Sequence, residues 1–134
     1  METKTTKHSA YNINYHIVFC PKYRHSVLKG DIEVYLKRLL KNICNHYEYD
    51  LLEIETMPDH VHLFVSAKPT VAPVTIVKAL KSISAIWIFK KFPYLKRQKF
   101  WGSGLWSKGY YVGTAGTVTA ETIRKYIENQ KAIR

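Results

Sequence analysis

The alternation of apolar and polar positions divides the chain into strand-like and helix-like stretches separated by short turns. From Tyr11 to Cys20, Tyr11, Ile13, Tyr15, Ile17 and Phe19 alternate with Asn12, Asn14, His16 and Val18, the period of a half-buried strand. Pro21 ends that strand, and Pro21 to His25 reads as a basic, aromatic turn leading to a short strand or extended stretch around Val27 and Leu28. From Asp31 to about Tyr49 the period changes. Ile32, Tyr35, Leu36, Leu39, Leu40, Ile43, Cys44 and Tyr47 recur at helical spacing, which predicts a helix with Asp31 as its N-cap and Lys37, Arg38 and Lys41 on its polar face.

Leu51 to Met57 and His60 to about Ala67 read as two strands joined by Pro58-Asp59 into a hairpin. Val74 to Phe92 has helical length, with Val77, Leu80, Ile83, Ile86 and Trp87 as its apolar stripe and Lys90, Lys91 and Pro93 as its stop. Residues 95–108 read as loop, Tyr110 to Val112 as a strand, and Gly113 to Thr117 as a connector. Thr119 or a neighbour then caps a last helix to about Gln130. Met1 to Lys7 shows no periodicity and reads, with His8, as a loose arm. The predicted fold class is α+β, an antiparallel sheet with helices packed on one face in a ferredoxin-like or RRM-like arrangement. At 134 residues the chain fits one domain spanning residues 1–134.

Charge adds a partner to this outline. With 21 Lys and Arg against 10 Asp and Glu, the formal charge is +11, which points to a polyanion and first of all to nucleic acid. The basic residues are spread along the chain and do not border one apolar helix, which argues against a membrane surface, and no stretch is apolar for the roughly 20 residues needed to span a bilayer. Cys20 and Cys44 lack a Cys-x-x-Cys partner and read as packing residues. With no leading apolar segment, the expected setting is cytoplasmic.

The candidate chemistry begins with Asp59-His60-Val61-His62-Leu63. In a strand His60 and His62 share a face, roughly 6.5–7 Å apart at Cα, while Val61 and Leu63 point to the other. Two imidazoles on a rigid strand can hold one divalent cation; the plainer reading is a pair of polar residues on a solvated sheet face. On the last helix Tyr126 and Gln130 share a face at i and i+4, apart from Ile123 and Ile127, so one helix could bring a phenol and an amide oxygen to such a cation. A phenol can attack a phosphodiester, and a nearby cation offsets its poor nucleophilicity at neutral pH.

Three blocks in order carry a resemblance across nearly the whole chain: Tyr15-His16-Ile17-Val18-Phe19-Cys20-Pro21-Lys22-Tyr23-Arg24, then Met57-Pro58-Asp59-His60-Val61-His62-Leu63, then Tyr126-Ile127-Glu128-Asn129-Gln130. The chain resembles the small single-tyrosine transposases of bacterial and archaeal insertion sequences, within the HUH (His-hydrophobic-His) nuclease superfamily. The resemblance implies that His60, His62 and Gln130 are ligands to Mg²⁺ or Mn²⁺ and that Tyr126 is the nucleophile. It also implies a single-stranded substrate with subterminal hairpins, a 5′-phosphotyrosine intermediate, and a homodimer in which the tyrosine helix of one subunit completes the histidine site of the other. Gly113 and Gly116 would then tether a moving helix, or simply form a tight turn.

Lys22, Arg24, Lys78, Lys81 and the Lys96, Arg97 and Lys99 cluster are candidate contacts to DNA backbone, and Tyr23, Trp101 or Trp106 candidate stacking partners for bases. His16 belongs to the matching block, and its strand position allows either a core-edge hydrogen bond or a place near the site. Two other readings compete: a catalytically silent hairpin DNA- or RNA-binding module of the same fold, and a replication initiator or relaxase, which would usually be larger and carry a third histidine.

Overall fold

The computed structural model describes residues 4–5, 10–11 and 13–115. Its centre is a four-stranded antiparallel sheet of β3 (Asn14–Phe19), β4 (Asp50–Met57), β5 (His60–Ser66) and β6 (Tyr111–Ala115), in the order β4-β5-β3-β6. Among the described residues three α-helices accompany it: α1 (Gly30–His46), α2 (Pro73–Lys91) and α3 (Pro93–Gln98). The α+β class, with helices on one face of an antiparallel sheet, is as the periodicity predicts. Where a loose arm is expected, β1 (Lys4–Thr5) pairs with β2 (Ala10–Tyr11) in a separate two-stranded ribbon. The helix expected from Thr119 to Gln130 lies outside the described residues.

Alternation along the strands makes the two layers. Ile17 and Phe19 of β3 and Val61, Leu63 and Val65 of β5 join Leu36, Leu40 and Ile43 of α1 and Ile76, Val77, Leu80 and Ile88 of α2 in one buried cluster. At roughly 2 kcal/mol for each large apolar side chain removed from water, this cluster is the main stabilising element. Leu51 and Ile54 both pack against it although they stand three apart, because the β4–β5 register shifts between Leu51 and Glu53 and the bulge turns both toward the helices.

Several ends differ from the pattern for identifiable reasons. Asp31 is not the N-cap of α1. Lys29 is, and Asp31 and Glu33 lie in the first turn, where negative charge suits the helix dipole. The helix stops at His46 because Glu48 adopts a left-handed φ of 60°, with Tyr49 N–H donating to the Cys44 carbonyl at 2.8 Å and Glu48 N–H to that of Asn45 at 3.2 Å. This is a Schellman closure with glutamate where glycine is usual.

The buried stripe of α2 runs through Ile76, Leu80, Ser84 and Ile88, leaving Ile86 and Trp87 exposed. Ser84 is tolerated there because its Oγ accepts the Trp106 indole N–H at 2.9 Å and donates to the Lys81 carbonyl at 3.2 Å. Pro93 stops α2 and also starts α3 at its first position, where a missing N–H does no harm. Val27 and Leu28 form no strand; both are buried, and the Leu28 N–H donates to the Pro58 carbonyl at 2.9 Å.

Candidate active site

All seven residues of β5, the strand between β3 and β4, are buried, and its polar positions lie on the sheet face opposite the helices. His60 and His62 are each 1% exposed, which rules out the solvated-face reading of the pair. Their rings stand 5.0 Å apart between centroids at 67°. On the neighbouring strand Val18 pairs with His62 and His16 with Phe64, which puts His16 on the same face; its ring meets Phe64 edge-on at 4.0 Å. Of the two places open to His16, the structure gives the one near the histidine pair, since His16 and Val18 share a face.

The turn before β5 fixes His60. Its Nδ1 lies 2.8 Å from Asp59 Oδ1, while Asp59 Oδ2 accepts from Arg24 Nη2 at 3.2 Å. Burial works against ionising Asp59, but the hydrogen bonds and charges of His60 and Arg24 outweigh it and hold the carboxyl below the usual carboxylate range. An ionised carboxylate only accepts, so Nδ1 carries a proton, and in the neutral ring the lone pair then lies on Nε2.

His62 Nε2 is buried and has no hydrogen-bond partner among the described residues. Burial, helped by the neighbouring His60 and His16, pushes His62 down to about 3; burial likewise pushes His16 down to about 4. These rings are therefore neutral at physiological pH, the form that donates a lone pair. A buried lone pair on His62 beside an oriented His60 fits a divalent cation as two of its ligands. Among the described residues no cluster of three His, Cys, Asp or Glu side chains completes such a set. Tyr126 and Gln130 lie outside the described residues.

The predicted nucleic-acid contacts separate into distinct environments. Arg24 is engaged with Asp59, a positioning role that its place in a basic turn did not reveal. Lys81 is half-buried, and its ammonium donates to the carbonyls of Ser107, Lys108 and Gly109 at 2.6, 3.2 and 3.4 Å, closing a loop. Trp106 is buried, packs edge-on against Phe19 at 4.6 Å and bridges to Pro21, so its ring is not available to a base. Lys78, Lys96, Arg97 and Lys99 are exposed, Lys22 is half-buried, and Tyr23 and Trp101 present exposed rings. Gly113 is part of β6, paired with His16, and so is not in a connector; Gly116 lies outside the described residues.

Comparison with known proteins bears on the family and the fold. The family described as "Transposase IS200 like" matches residues 9–130. The ISDra2 transposase TnpA of Deinococcus radiodurans is 42% identical over 130 residues, 97% of this chain and 92% of the relative. An IS200 transposase of Salmonella typhimurium is 33% identical over 129 residues, 96% of this chain and 84% of the relative. The crystal structure of a candidate transposase from Deinococcus radiodurans superposes with a TM-score of 0.79 at 40% identity, covering 95% of this chain and 97% of that one. A REP-associated tyrosine transposase bound to a REP hairpin shares the fold, with a TM-score of 0.54 at 11% identity over 91% of this chain and 68% of that one. With the family matching nearly end to end and relatives this similar over almost their whole length, the chain belongs to the IS200-like transposase family.

Proposed function

We propose that this transposase cuts and rejoins single-stranded DNA through a tyrosine ester, with His60, His62 and Gln130 holding Mg²⁺ or Mn²⁺ and Tyr126 as nucleophile. The observation that carries the reading is the buried histidine pair, with His60 oriented by Asp59 and a lone pair on His62 that no described residue uses. When bound, the cation polarises the scissile phosphate and offsets the charge that builds on it during displacement.

The chain's own residues do the rest. Tyr126 Oη loses its proton and bonds to phosphorus as the bond from phosphorus to the 3′ oxygen breaks; that oxygen takes up a proton to become a free 3′-OH. The DNA is then held by its 5′ phosphate on Tyr126. Because the ester conserves the phosphodiester bond energy, attack by a 3′-OH restores the strand without ATP, as transposition requires.

The net charge of +11 suits a nucleic-acid substrate, and the hairpin held by the REP-associated relative supports hairpin-ended single strands as the partner. A homodimer in which one subunit's Tyr126 helix meets the partner's histidine pair, working in the cytoplasm, belongs to the same reading. The test is incubation with Mn²⁺ or Mg²⁺ and a labelled single strand carrying the element's end hairpin, followed by denaturing electrophoresis. Wild type forms a protein–DNA adduct, Tyr126→Phe forms none, and His60→Ala or His62→Ala forms far less. Tight hairpin binding by wild type with no adduct would instead identify a catalytically silent binding module.

A further inference from the structure

Two exposed aromatic residues stand together in a backbone conformation that large side chains avoid. Tyr23, 56% exposed, has φ of 60°, and Trp101, 71% exposed, has φ of 48°. Each occupies a tight turn. Arg24 N–H donates to the Pro21 carbonyl at 2.9 Å across the first, and Ser103 N–H to that of Phe100 at 2.8 Å across the second. Glycine would serve either turn at lower conformational cost, and neither ring recovers that cost by burial.

The rings nevertheless meet, at 5.5 Å between centroids and 59°, with His25 bridging them at 5.7 Å from Tyr23 and 6.2 Å from Trp101. His25 is itself backed edge-on by buried Phe100 at 5.3 Å, so the pair sits on a fixed base. Cations border it. Lys22 Nζ lies 5.8 Å from the Tyr23 ring, Lys96 and Arg97 end the helix just before Trp101, and Lys99 shares a cleft with His25 and Lys29. None of Lys22, Lys96, Arg97 or Lys99 has an acidic partner among the described residues. One residue beyond Tyr23, Arg24 holds the Asp59 that orients His60, so the platform adjoins the histidine site along the chain.

We infer that Tyr23 and Trp101 form a platform on which one unpaired nucleobase of the DNA strand stacks, flanked by the Lys22 and α3 cations. The inference rests on the proposed reading of single-stranded DNA as substrate, and it names where a base outside the hairpin stem is held. Aromatic faces suit this task because every base offers a π surface, while the surrounding cations suit the strand's phosphates.

The probe is a DNA hairpin with unpaired dT tails on both sides, titrated against the full chain while tryptophan fluorescence and anisotropy are followed. In wild type, binding quenches Trp101. Tyr23→Leu with Trp101→Leu loses that quench and binds about 5- to 150-fold more weakly, the range for one lost base stack, with an unchanged salt dependence because no phosphate contact is lost. Trp101→Phe and Tyr23→Phe retain wild-type affinity within about threefold, since both keep a stacking ring. Tyr23→Gly and Trp101→Gly melt at or above the wild-type temperature yet bind more weakly, because relief of a left-handed φ separates strain from function.

Abasic substitution through the tails identifies one position whose loss equals that of the Leu double variant and adds nothing to it. If the Leu double variant binds the tailed hairpin as wild type does while wild type still forms the Tyr126 adduct, the platform is overturned and the catalytic reading stands. If wild type binds no tailed hairpin at all, both fall.

Discussion

The Nδ1–H of His60 donates to Asp59 Oδ1 across 2.8 Å, so the residue before the first histidine decides which nitrogen of that ring offers its lone pair. Arg24 extends the chain of contacts by holding the other carboxylate oxygen at 3.2 Å. A histidine that is to bind a cation gains basicity and a fixed ring from such a partner.

Asp59→Ala is therefore expected to lower Mn²⁺ affinity about 10- to 100-fold, as outer-shell partners of ligating histidines do. Isothermal titration of Mn²⁺ into the metal-free protein measures it. Arg24→Gln shifts affinity in the same direction by less, and leaves the slope of log DNA affinity against log salt unchanged. If Arg24 acts as a phosphate contact, the slope falls by about 0.7 to 0.9 instead, and the positioning role is then wrong.

The difference between what was legible and what was not follows interaction range. The alternation through Ile17, Phe19, Val61, Leu63 and Val65 predicts the sheet face that packs on the helices, because a strand's period of two is a local property. The histidine pair is legible for the same reason. Burial of that pair was not, since a strand's period of two says which side chains share a face and not whether that face is covered. Arg24 and Asp59 are 35 residues apart, and no local rule connects them. Likewise Trp106 reads as an aromatic in a basic loop until Ser84, in the stripe of α2, supplies its hydrogen-bond acceptor.

The buried rings of His16 and His62 set a pH dependence. Their native pKa values are about 4 and about 3, against an ordinary value of 6.5, so below that ordinary value the unfolded chain binds protons that the native one refuses. Stability of the metal-free protein therefore falls as pH drops from 6.5 toward 4, each histidine contributing at most about 1.4 kcal/mol per pH unit. Urea denaturation at several pH values measures the slope. His16→Gln removes the share of His16; an identical slope in that variant would contradict the assignment.

Lys81 is expected to matter to the fold before it matters to DNA. Its ammonium holds the carbonyls of Ser107, Lys108 and Gly109, of which the Ser107 contact is part-buried and the other two exposed, so Lys81→Met costs about 0.5–1.5 kcal/mol. Lys78→Met, in an exposed position on the same helix, stays within about 0.5 kcal/mol of wild type. Thermal melting compares the two, and equal melting temperatures would show that the loop does not depend on Lys81.

Gly113 separates two uses of a glycine. It lies in β6 opposite His16, and a Cβ there would run into the Tyr111 side chain, hydroxyl first and ring next at 3.0 Å. As clearance within a sheet, Gly113→Ala is expected to cost on the order of 1 kcal/mol by forcing Tyr111 aside. Tyr111→Phe in the same chain recovers part of that loss by removing the nearest atom. A mobile tether gives the opposite pattern: Gly113→Ala would keep or raise stability while slowing strand exchange, and Tyr111→Phe would not rescue it. Melting temperature and the rate of rejoining, measured on the two single variants and the double, decide between them.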